Sequence, residues 1–231
     1  MLPLRDNVPT RTFPLVTVTL IAANVVVFLW ELGGRGLDVH VVQYGYYPCD
    51  VVGSCVAVAR FRELPWYEGA FTSMFMHGGW AHLLGNMLFL WIFGNNVEDA
   101  LGKARYVAFY VLGGLTATAV QTAVTVHYAG ASGESVPNIG ASGAIAAVLG
   151  AYFVLLPTAR VLTVIIFFLR EVPAFVFLGL WFLFQLWQGG GALTHPQAGG
   201  GVAFFAHVGG FVFGMLAVNL FKQRAPLRPR W

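Results

Sequence analysis

The sequence predicts an all-α polytopic membrane protein, built as one bundle of six transmembrane helices. Of its 231 residues, 58% are hydrophobic and only 10% are charged. The mean hydropathy is +0.71, which places the chain in the membrane class rather than the soluble one. No linker or repeat is long enough to separate a second domain. The 20 Phe, 7 Trp and 8 Tyr residues suit lipid contact and interfacial belts.

The order of apolar and polar segments predicts three parts. Residues 1–12 form an N-terminal tail, residues 13–221 form the helical domain, and residues 222–231 form a basic tail. The first tail is too polar for a signal peptide, so the first apolar run is expected to stay as a helix. The six spans are expected at 13–30, 80–97, 107–126, 142–156, 172–187 and 202–221.

Two segments between these spans are predicted separately. Residues 33–79 form a long outer loop, and a polar loop at 127–140 and a Gly-rich loop at 188–201 follow later in the chain. Residues 161–169 are apolar but too short to cross a bilayer, and we expect an interfacial segment there.

The basic residues indicate the orientation of the bundle. With the N-terminus inside, ten of the 13 Lys and Arg residues fall on inner segments, and three, Arg35, Arg60 and Arg62, fall on outer loops. The positive-inside rule therefore predicts that both termini are cytoplasmic and that the chain before Ser142 opens to the outer side. The net charge of +3 is scattered without a basic run, so we expect no nucleic-acid partner. Nothing in the sequence indicates the oligomeric state.

The cysteines, Cys49 and Cys55, lie six residues apart in the outer loop. In an oxidising compartment they are able to close a small disulfide loop, and the alternative is two free thiols. We favour the disulfide because no other cysteine competes. A metal site is not expected, since no histidine lies at ligand spacing beside them.

Ser142 begins an apolar run that ends before Pro157. A helix over its 15 residues rises about 22 Å, which is shorter than the roughly 30 Å hydrocarbon core. The Gly-rich chain before Ser142 must then dip into the membrane, where irregular backbone survives only inside protein or beside water. A hydroxyl at this helix start, between Gly140 and Gly143, suits a nucleophile. The alternative is a helix-capping serine in a tight turn.

Two other spans carry polar residues. His82 and Asn86 are four residues apart and share one helix face. Either they hold the bundle together by interhelical hydrogen bonds, worth about 1 kcal/mol or less, or they donate to developing negative charge. His207 lies within the last apolar run, as a bundle histidine or as the base that a serine nucleophile needs.

Small residues favour contact between the fourth and sixth spans. Gly210 and Gly214 follow His207 by three and seven residues, in a spacing that permits close helix approach. The fourth span offers a matching stripe at Ser142, Ala146 and Gly150. If these faces meet, His207 lies beside Ser142.

The acidic residues exclude several other chemistries. All ten lie in loops, tails or span ends, so an aspartyl intramembrane protease and a buried-acid proton relay are excluded. No His-Glu-x-x-His motif is present, which excludes a zinc protease of that type. No third member of a Ser-His-Asp triad is evident, and a Ser-His dyad remains.

Three blocks of the chain together resemble a known family. They are the segments His77 to Asn86, Gly140-Ala141-Ser142-Gly143 and Ala206-His207-Val208-Gly209-Gly210. They resemble the signature blocks of the rhomboid intramembrane serine proteases, and the match runs from about Thr72 to Leu216. The resemblance implies a six-helix rhomboid-like bundle in a bacterial inner (plasma) membrane, with its active site opening to the outer side.

The resemblance also implies roles for individual residues. Ser142 is the nucleophile and His207 the general base, while His82, Asn86 and the Ser142 backbone N–H form the oxyanion hole. Structural roles near the site are expected for His77, Gly140, Gly143, Gly210 and Gly214, and Glu98 matches a further family position that is structural. The implied substrates are transmembrane proteins in the lipid bilayer, and no metal or cofactor is needed.

The sequence departs from the family pattern at two places. Some bacterial members carry Trp-Arg in the first loop, where this chain has Glu68-Gly69. Some members place a tyrosine against the catalytic histidine, one turn after the nucleophile, where this chain has Ala146. What orients His207 is therefore left open. The alternative functions are a rhomboid-like pseudoprotease that binds transmembrane helices without cleavage, and a small-solute transporter on the same bundle.

Overall fold

A computed structural model describes residues 1–53, 55, 63–128, 135–194 and 203–229 of the chain, which are mostly helical. The helices, numbered in chain order, are α1 Leu15–Leu32, α2 Leu37–Tyr44, α3 Cys49–Val52, α4 Trp66–Thr72, α5 Trp80–Leu101, α6 Lys103–Tyr128, α7 Ser142–Leu155, α8 Ala174–Thr194 and α9 Phe204–Phe221. A 3-10 turn, Ser73–Phe75, follows α4. The strands are β1 Leu2–Asp6, β2 Arg160–Ile165 and β3 Phe168–Pro173.

The prediction of a helical membrane protein is confirmed. Among the described residues, four helices are long and apolar enough to cross a membrane: α1, α6, α8 and α9. Helix α7 is apolar but has only 14 residues. Helix α5 has 22 residues but carries several polar side chains, and it is not among these four. Of the six predicted spans, four therefore correspond to described helices that are both long enough and apolar enough to cross a membrane.

Parts of the predicted segments lie outside the described residues. These parts are residues 54 and 56–62 of the outer loop, 129–134, 195–202, and 230–231 of the C-terminal tail. They include three of the basic residues used for the orientation, Arg60, Arg62 and Arg230.

Helix α5 runs four residues beyond its expected end because the carboxylates that follow find partners. Glu98 accepts hydrogen bonds from the backbone N–H groups of Val16 and Thr17, at 3.0 and 2.8 Å, and from the Thr17 hydroxyl at 2.8 Å. These N–H groups belong to the first turn of α1, which has no side-chain cap of its own. Asp99 forms a 2.8 Å ion pair with Arg11. The two acids thus join the start of α1 to the end of α5.

The segment expected to be interfacial, residues 161–169, belongs to a small antiparallel sheet with strand order β1-β2-β3. Alternate residues of β2, Val161 and Thr163, are fully buried, which fits the period of two of a strand. The hairpin between β2 and β3 turns at Ile166, which has a positive φ of 57°. The N-terminal segment forms the third strand rather than a separate tail. It brings Asp6 to the C-terminal end of α7, where the Tyr152 hydroxyl donates to it at 2.5 Å.

Helix α8 also ends later than expected, at Thr194 instead of 187. The Gly-rich segment stays helical where it packs against the start of α9. A Cβ at Gly189 would lie 3.2 Å from the Phe205 ring, so the absence of a side chain lets the two helices approach.

Helix α7 is the centre of the bundle. Every residue from Gly143 to Tyr152 is buried, and the helix packs mainly against α9, α6 and α5. Both ends of the described chain lie at the end of the bundle remote from Ser142. Arg11 reaches Asp99 there, and the backbone N–H groups of Gln223 and Arg224 donate to the Ala100 carbonyl.

Helices α7 and α9 contact each other through their backbones. A Cβ at Gly210 would overlap the carbonyl oxygen of Gly143, and one at Gly214 would overlap that of Ala147. From the other helix, a Cβ at Gly150 would overlap the carbonyl oxygen of Phe211. The two helices therefore meet as closely as helices are able to.

Candidate active site

The chain that leads into Ser142 is held by backbone hydrogen bonds to the outer loop. Asn138 and Tyr46 pair as an isolated antiparallel bridge, and the Gly140 N–H donates to the Ser73 carbonyl at 2.8 Å. The Tyr46 hydroxyl is hydrogen-bonded to Thr122 on α6 at 2.9 Å, and burial raises the pKa of Tyr46. The irregular backbone before α7 is thus packed against protein, as non-helical backbone within a membrane must be.

Gly140 meets two demands that only glycine satisfies. Its φ is +122°, a conformation that L side chains rarely adopt. A Cβ at this position would also lie 2.7 Å from Nε2 of His82. The absence of a side chain therefore lets His82 approach the start of α7.

Ser142 and His207 are in hydrogen-bonding contact. Ser142 is the first residue of α7, and His207 lies in the first turn of α9. The Oγ of Ser142 is 2.8 Å from Nε2 of His207. The close glycine packing at Gly210, one turn further along α9, holds the two helix ends at this distance.

The other ring nitrogen of His207 has a partner that the sequence did not suggest. Its Nδ1 lies 2.8 Å from Oε1 of Gln185, on α8. Gln185 is buried, with 6% of its surface exposed. One turn earlier on the same helix, the Trp181 ring lies 5.9 Å from the His207 ring, centroid to centroid. A lone glutamine within the apolar run 172–187 was the signal available in the sequence.

Ala146, where some family members carry tyrosine, packs on glycine instead of on the histidine. Its Cβ lies 3.2 Å from the position that a Cβ on Gly210 would take. No larger side chain fits there without separating α7 from α9. The groups that orient His207 therefore come from α8.

Asn86 is held by a chain of three polar groups. The Glu31 carboxylate accepts from the His77 backbone N–H at 3.1 Å. The His77 ring places Nδ1 3.2 Å from the Phe75 carbonyl and Nε2 3.0 Å from the Asn86 amide nitrogen. Burial, with a smaller contribution from His82, lowers the pKa of His77 to about 4, so the ring is neutral at pH 7. Neutral His77 donates from Nδ1 and accepts from Asn86 at Nε2, which leaves one amide N–H of Asn86 free of this contact.

His82 and Asn86 face the same cavity. The Gly78 N–H donates to Nδ1 of His82 at 3.4 Å, which places the ring proton on Nε2, beside Gly140. The cavity has a volume of about 650 Å³. Its walls come from α5, α7, α8 and α9, and include His82, Asn86, Ser142, Gln185 and His207. Space for a polypeptide segment therefore lies next to Ser142, His207 and three further polar side chains.

The remaining predicted site residues lie outside this cavity. Gly143 and Gly214 sit in the α7–α9 contact, and Gly143 also packs against Ala117 of α6. Cys49 and Cys55 are joined by a disulfide in the outer loop, with Cα atoms 5.0 Å apart. Glu98 lies at the opposite end of α5, bonded to α1.

These features define a helical, membrane-embedded protein with a hydrogen-bonded serine–histidine pair in the wall of a cavity. Residues 65–224 match the model of the Rhomboid domain. The chain belongs to the rhomboid family.

Several named proteins are similar to this chain. The presenilin-associated rhomboid-like protein, mitochondrial, of Rattus norvegicus is 29% identical over 228 residues, which cover 93% of this chain and 52% of the relative. Its Mus musculus counterpart is 32% identical over 170 residues, or 69% of this chain and 41% of the relative. Rhomboid protein 1, mitochondrial, of Saccharomyces cerevisiae is 30% identical over 148 residues, or 62% and 39%. The chain thus spans about half the length of these relatives, or less.

The comparison corrects the expected location. The prediction of a bacterial inner (plasma) membrane protein with cytoplasmic termini is contradicted, because these relatives are designated mitochondrial. The signature blocks and the positions of Lys and Arg describe how a chain lies in a membrane. They carry no information on which membrane that is.

Proposed function

We propose that the protein is an intramembrane serine endopeptidase that cleaves transmembrane segments of other membrane proteins with a Ser142–His207 dyad. The observation that carries the proposal is the 2.8 Å contact between Ser142 Oγ and His207 Nε2, in the wall of a cavity of about 650 Å³. Membership of the rhomboid family supports the same reaction class.

The first half of the reaction follows from the contacts. Ser142 Oγ attacks the scissile carbonyl carbon while its proton passes to Nε2 of His207. The oxygen of the tetrahedral intermediate gains negative charge. His82 Nε2–H, the Asn86 amide and the Ser142 backbone N–H are the donors that stabilise it. The resulting imidazolium gives its proton to the leaving amine as the C–N bond breaks.

The second half uses the same groups. His207 takes a proton from water, the hydroxide attacks the acyl-serine, and the same donors stabilise the second intermediate. As this intermediate collapses, the C–O bond to Ser142 breaks and the imidazolium of His207 returns its proton to Ser142 Oγ, which releases the new carboxyl end. No metal or cofactor enters the scheme.

The membrane setting defines the substrate class. A transmembrane helix hides its carbonyl groups in hydrogen bonds, so the segment must unwind before Ser142 reaches one. Substrates with helix-breaking residues are therefore favoured, and the resemblance to the family adds a small residue before the scissile bond.

Removal of either dyad member tests the proposal. Ser142→Ala and His207→Ala should each abolish cleavage of a model transmembrane substrate in liposomes, and the double variant should be no worse than either single one. An active-site phosphonate should label the wild type and leave Ser142→Ala unlabelled. Cleavage that survives Ser142→Ala in a contaminant-free preparation rules out the dyad. A folded wild type that binds substrate helices without labelling or cleavage is instead a pseudoprotease.

We propose that six helices cross the membrane, with the short helix α7 shielded from lipid by its neighbours and with α5 exposing Leu84 and Trp91 to lipid. Arg5 and Arg228 should then lie on the same side, and Glu63 on the other. Single cysteines at these positions, in a chain with Cys49→Ser and Cys55→Ser, report this by labelling with an impermeant maleimide. Labelling of all three from one side contradicts it.

The location that the mitochondrial relatives support for this chain is a mitochondrial membrane. A tagged chain should sediment with mitochondrial membranes and resist alkaline extraction. Recovery in a different membrane contradicts this assignment and leaves the chemistry untouched.

A further inference from the structure

The His207 ring is held from two sides by α8. Gln185 Oε1 lies 2.8 Å from Nδ1, and the Trp181 ring packs 5.9 Å from the imidazole, centroid to centroid. Trp181 also packs against Phe211, one turn beyond His207 on α9, with ring centroids 5.9 Å apart. Helix α8 therefore supplies both the hydrogen bond and the aromatic surface that fix the ring.

The hydrogen bond with Gln185 decides which ring nitrogen carries the proton. A neutral imidazole has one N–H donor and one acceptor nitrogen. Because Oε1 only accepts, the proton of neutral His207 lies on Nδ1. The lone pair then lies on Nε2, 2.8 Å from Ser142 Oγ, where a base must receive the serine proton.

We infer that Gln185 is a positioning residue for the dyad, which holds His207 as the Nδ1–H tautomer with Nε2 directed at Ser142. The inference rests on the proposed function. Gln185 plays the part that a carboxylate plays in a serine triad, with a neutral amide oxygen as the acceptor. It lines the cavity but contacts none of the reacting atoms, and it acts on the reaction through His207.

The surroundings of His207 make its pH response simple to interpret. The titratable side chain that faces it is His82, on α5 across the cavity. The groups nearest to it on α7 and α8 are the uncharged Ser142, Gln185 and Trp181. On α6, the uncharged Gln121 accepts from the backbone N–H of Ala206 at 3.1 Å.

Two substitutions of Gln185 separate positioning from packing. Gln185→Leu keeps the size of the side chain and removes the acceptor. We expect kcat to fall about 10- to 100-fold with KM nearly unchanged, since a misplaced base of this kind costs up to about 100-fold. Gln185→Glu restores an acceptor. We expect it to recover most of kcat and to move the acid limb of the pH–activity profile upward by about one pH unit, because a carboxylate favours the imidazolium.

Gln188→Leu is the matched control. Gln188 lies three residues further along α8, does not line the cavity, and should give wild-type kcat and an unmoved profile. Thermal unfolding of each variant corrects for the folded fraction. If Gln185→Leu keeps wild-type kcat, or if Gln185→Glu is as impaired as Gln185→Leu with an unmoved acid limb, the inference is wrong.

A measurement that needs no cleavage keeps the two proposals separate. In protein with ¹⁵N-labelled histidine, His207 should show a protonated Nδ1 and an unprotonated Nε2 at neutral pH, and Gln185→Leu should lose this preference. A protonated Nε2 in the wild type overturns the inference. Phosphonate labelling of the same sample reports independently whether the proposed protease function fails.

Discussion

Helix α7 has two contrasting sides. Towards α9 its backbone touches the backbone of Gly210 and Gly214, with no room for a side chain. Towards α5 and α8 it borders a cavity of about 650 Å³, and a Cβ at Gly85 on the cavity wall would meet nothing within 4 Å. We call these the closed side and the open side. Ser142 lies where the two sides meet.

The difference shows how one helix serves two needs. A catalytic pair must be fixed to within a fraction of an ångström, and backbone contact on the closed side has no rotamers through which to relax. A polypeptide substrate needs space, and the open side leaves that space beside polar donors. Gln185, the hydrogen-bond acceptor for His207, lies on the open side. The position of His207 is therefore fixed by contacts on both the closed side and the open side.

The largest expected effect tests the open side. Asn86→Ala removes the amide that we propose as an oxyanion donor, while the closed side stays intact. We expect the activation free energy to rise by about 2.7–4 kcal/mol, which lowers kcat roughly 100- to 1,000-fold. Leu84→Ala is the control, because Leu84 lies on the same helix and is 61% exposed, away from the cavity. Similar cleavage rates for the two variants in liposomes would remove Asn86 from the oxyanion hole.

The second prediction compares one substitution on both sides. Gly210→Ala places a methyl group where the Gly143 carbonyl oxygen lies, so we expect a loss of about 1–3 kcal/mol in the free energy of unfolding, with reduced activity. Gly85→Ala adds the same group in open space and should be neutral, or stabilising by up to about 1 kcal/mol. Unfolding in mixed micelles measures both. Equal stabilities would mean that the closed side is able to relax.

The smallest expected effect concerns the C-terminal end of α7, where Tyr152 meets Asp6 of β1 in a contact that belongs neither to the α9 interface nor to the cavity. Burial raises the pKa of Asp6 to about 6, against the hydrogen bonds from Tyr152 and Asn96 that lower it. Between the unfolded pKa of 3.8 and about 6, the folded protein binds more protons, so its stability should fall as pH rises through this window. Allowing for partial exposure, the loss is about 1–2 kcal/mol. Asp6→Asn should flatten this part of the profile of unfolding temperature against pH. A variant as pH-dependent as the wild type would show that another group titrates.

The local features of the fold were accessible from sequence. Five of the six predicted spans begin within two residues of a helix start, and four end within two residues of a helix end, because apolar runs and glycines mark these positions. The extension of α5 was not predicted. Glu98 and Asp99 read as the polar end of a span, and only their partners near the N-terminus, Thr17 and Arg11, show why they are buried.

The residues of the candidate site also fall into two groups, those that local sequence indicates and those that only tertiary contacts reveal. Ser142, His207, His82 and Asn86 were selected because each stands out within its own segment. Gln185 was missed because a single glutamine in an apolar run has no local pattern, and its partner lies 22 residues away on another helix. The pairing of Asp6 with Tyr152 spans 146 residues and was equally invisible. Contacts of this kind depend on how helices are arranged, which periodicity does not report.

The shortness of α7 has a consequence for biosynthesis. Its 14 residues rise only about 21 Å, so the helix relies on neighbours to hold it in the bilayer. Helices α5 and α6 are made before it, but α9, its most extensive partner, is made after it. His207, the proposed base, also arrives on α9. If the proposed dyad is correct, a nascent chain carries its nucleophile into the membrane without the base, and it stays chemically silent until α9 has been inserted.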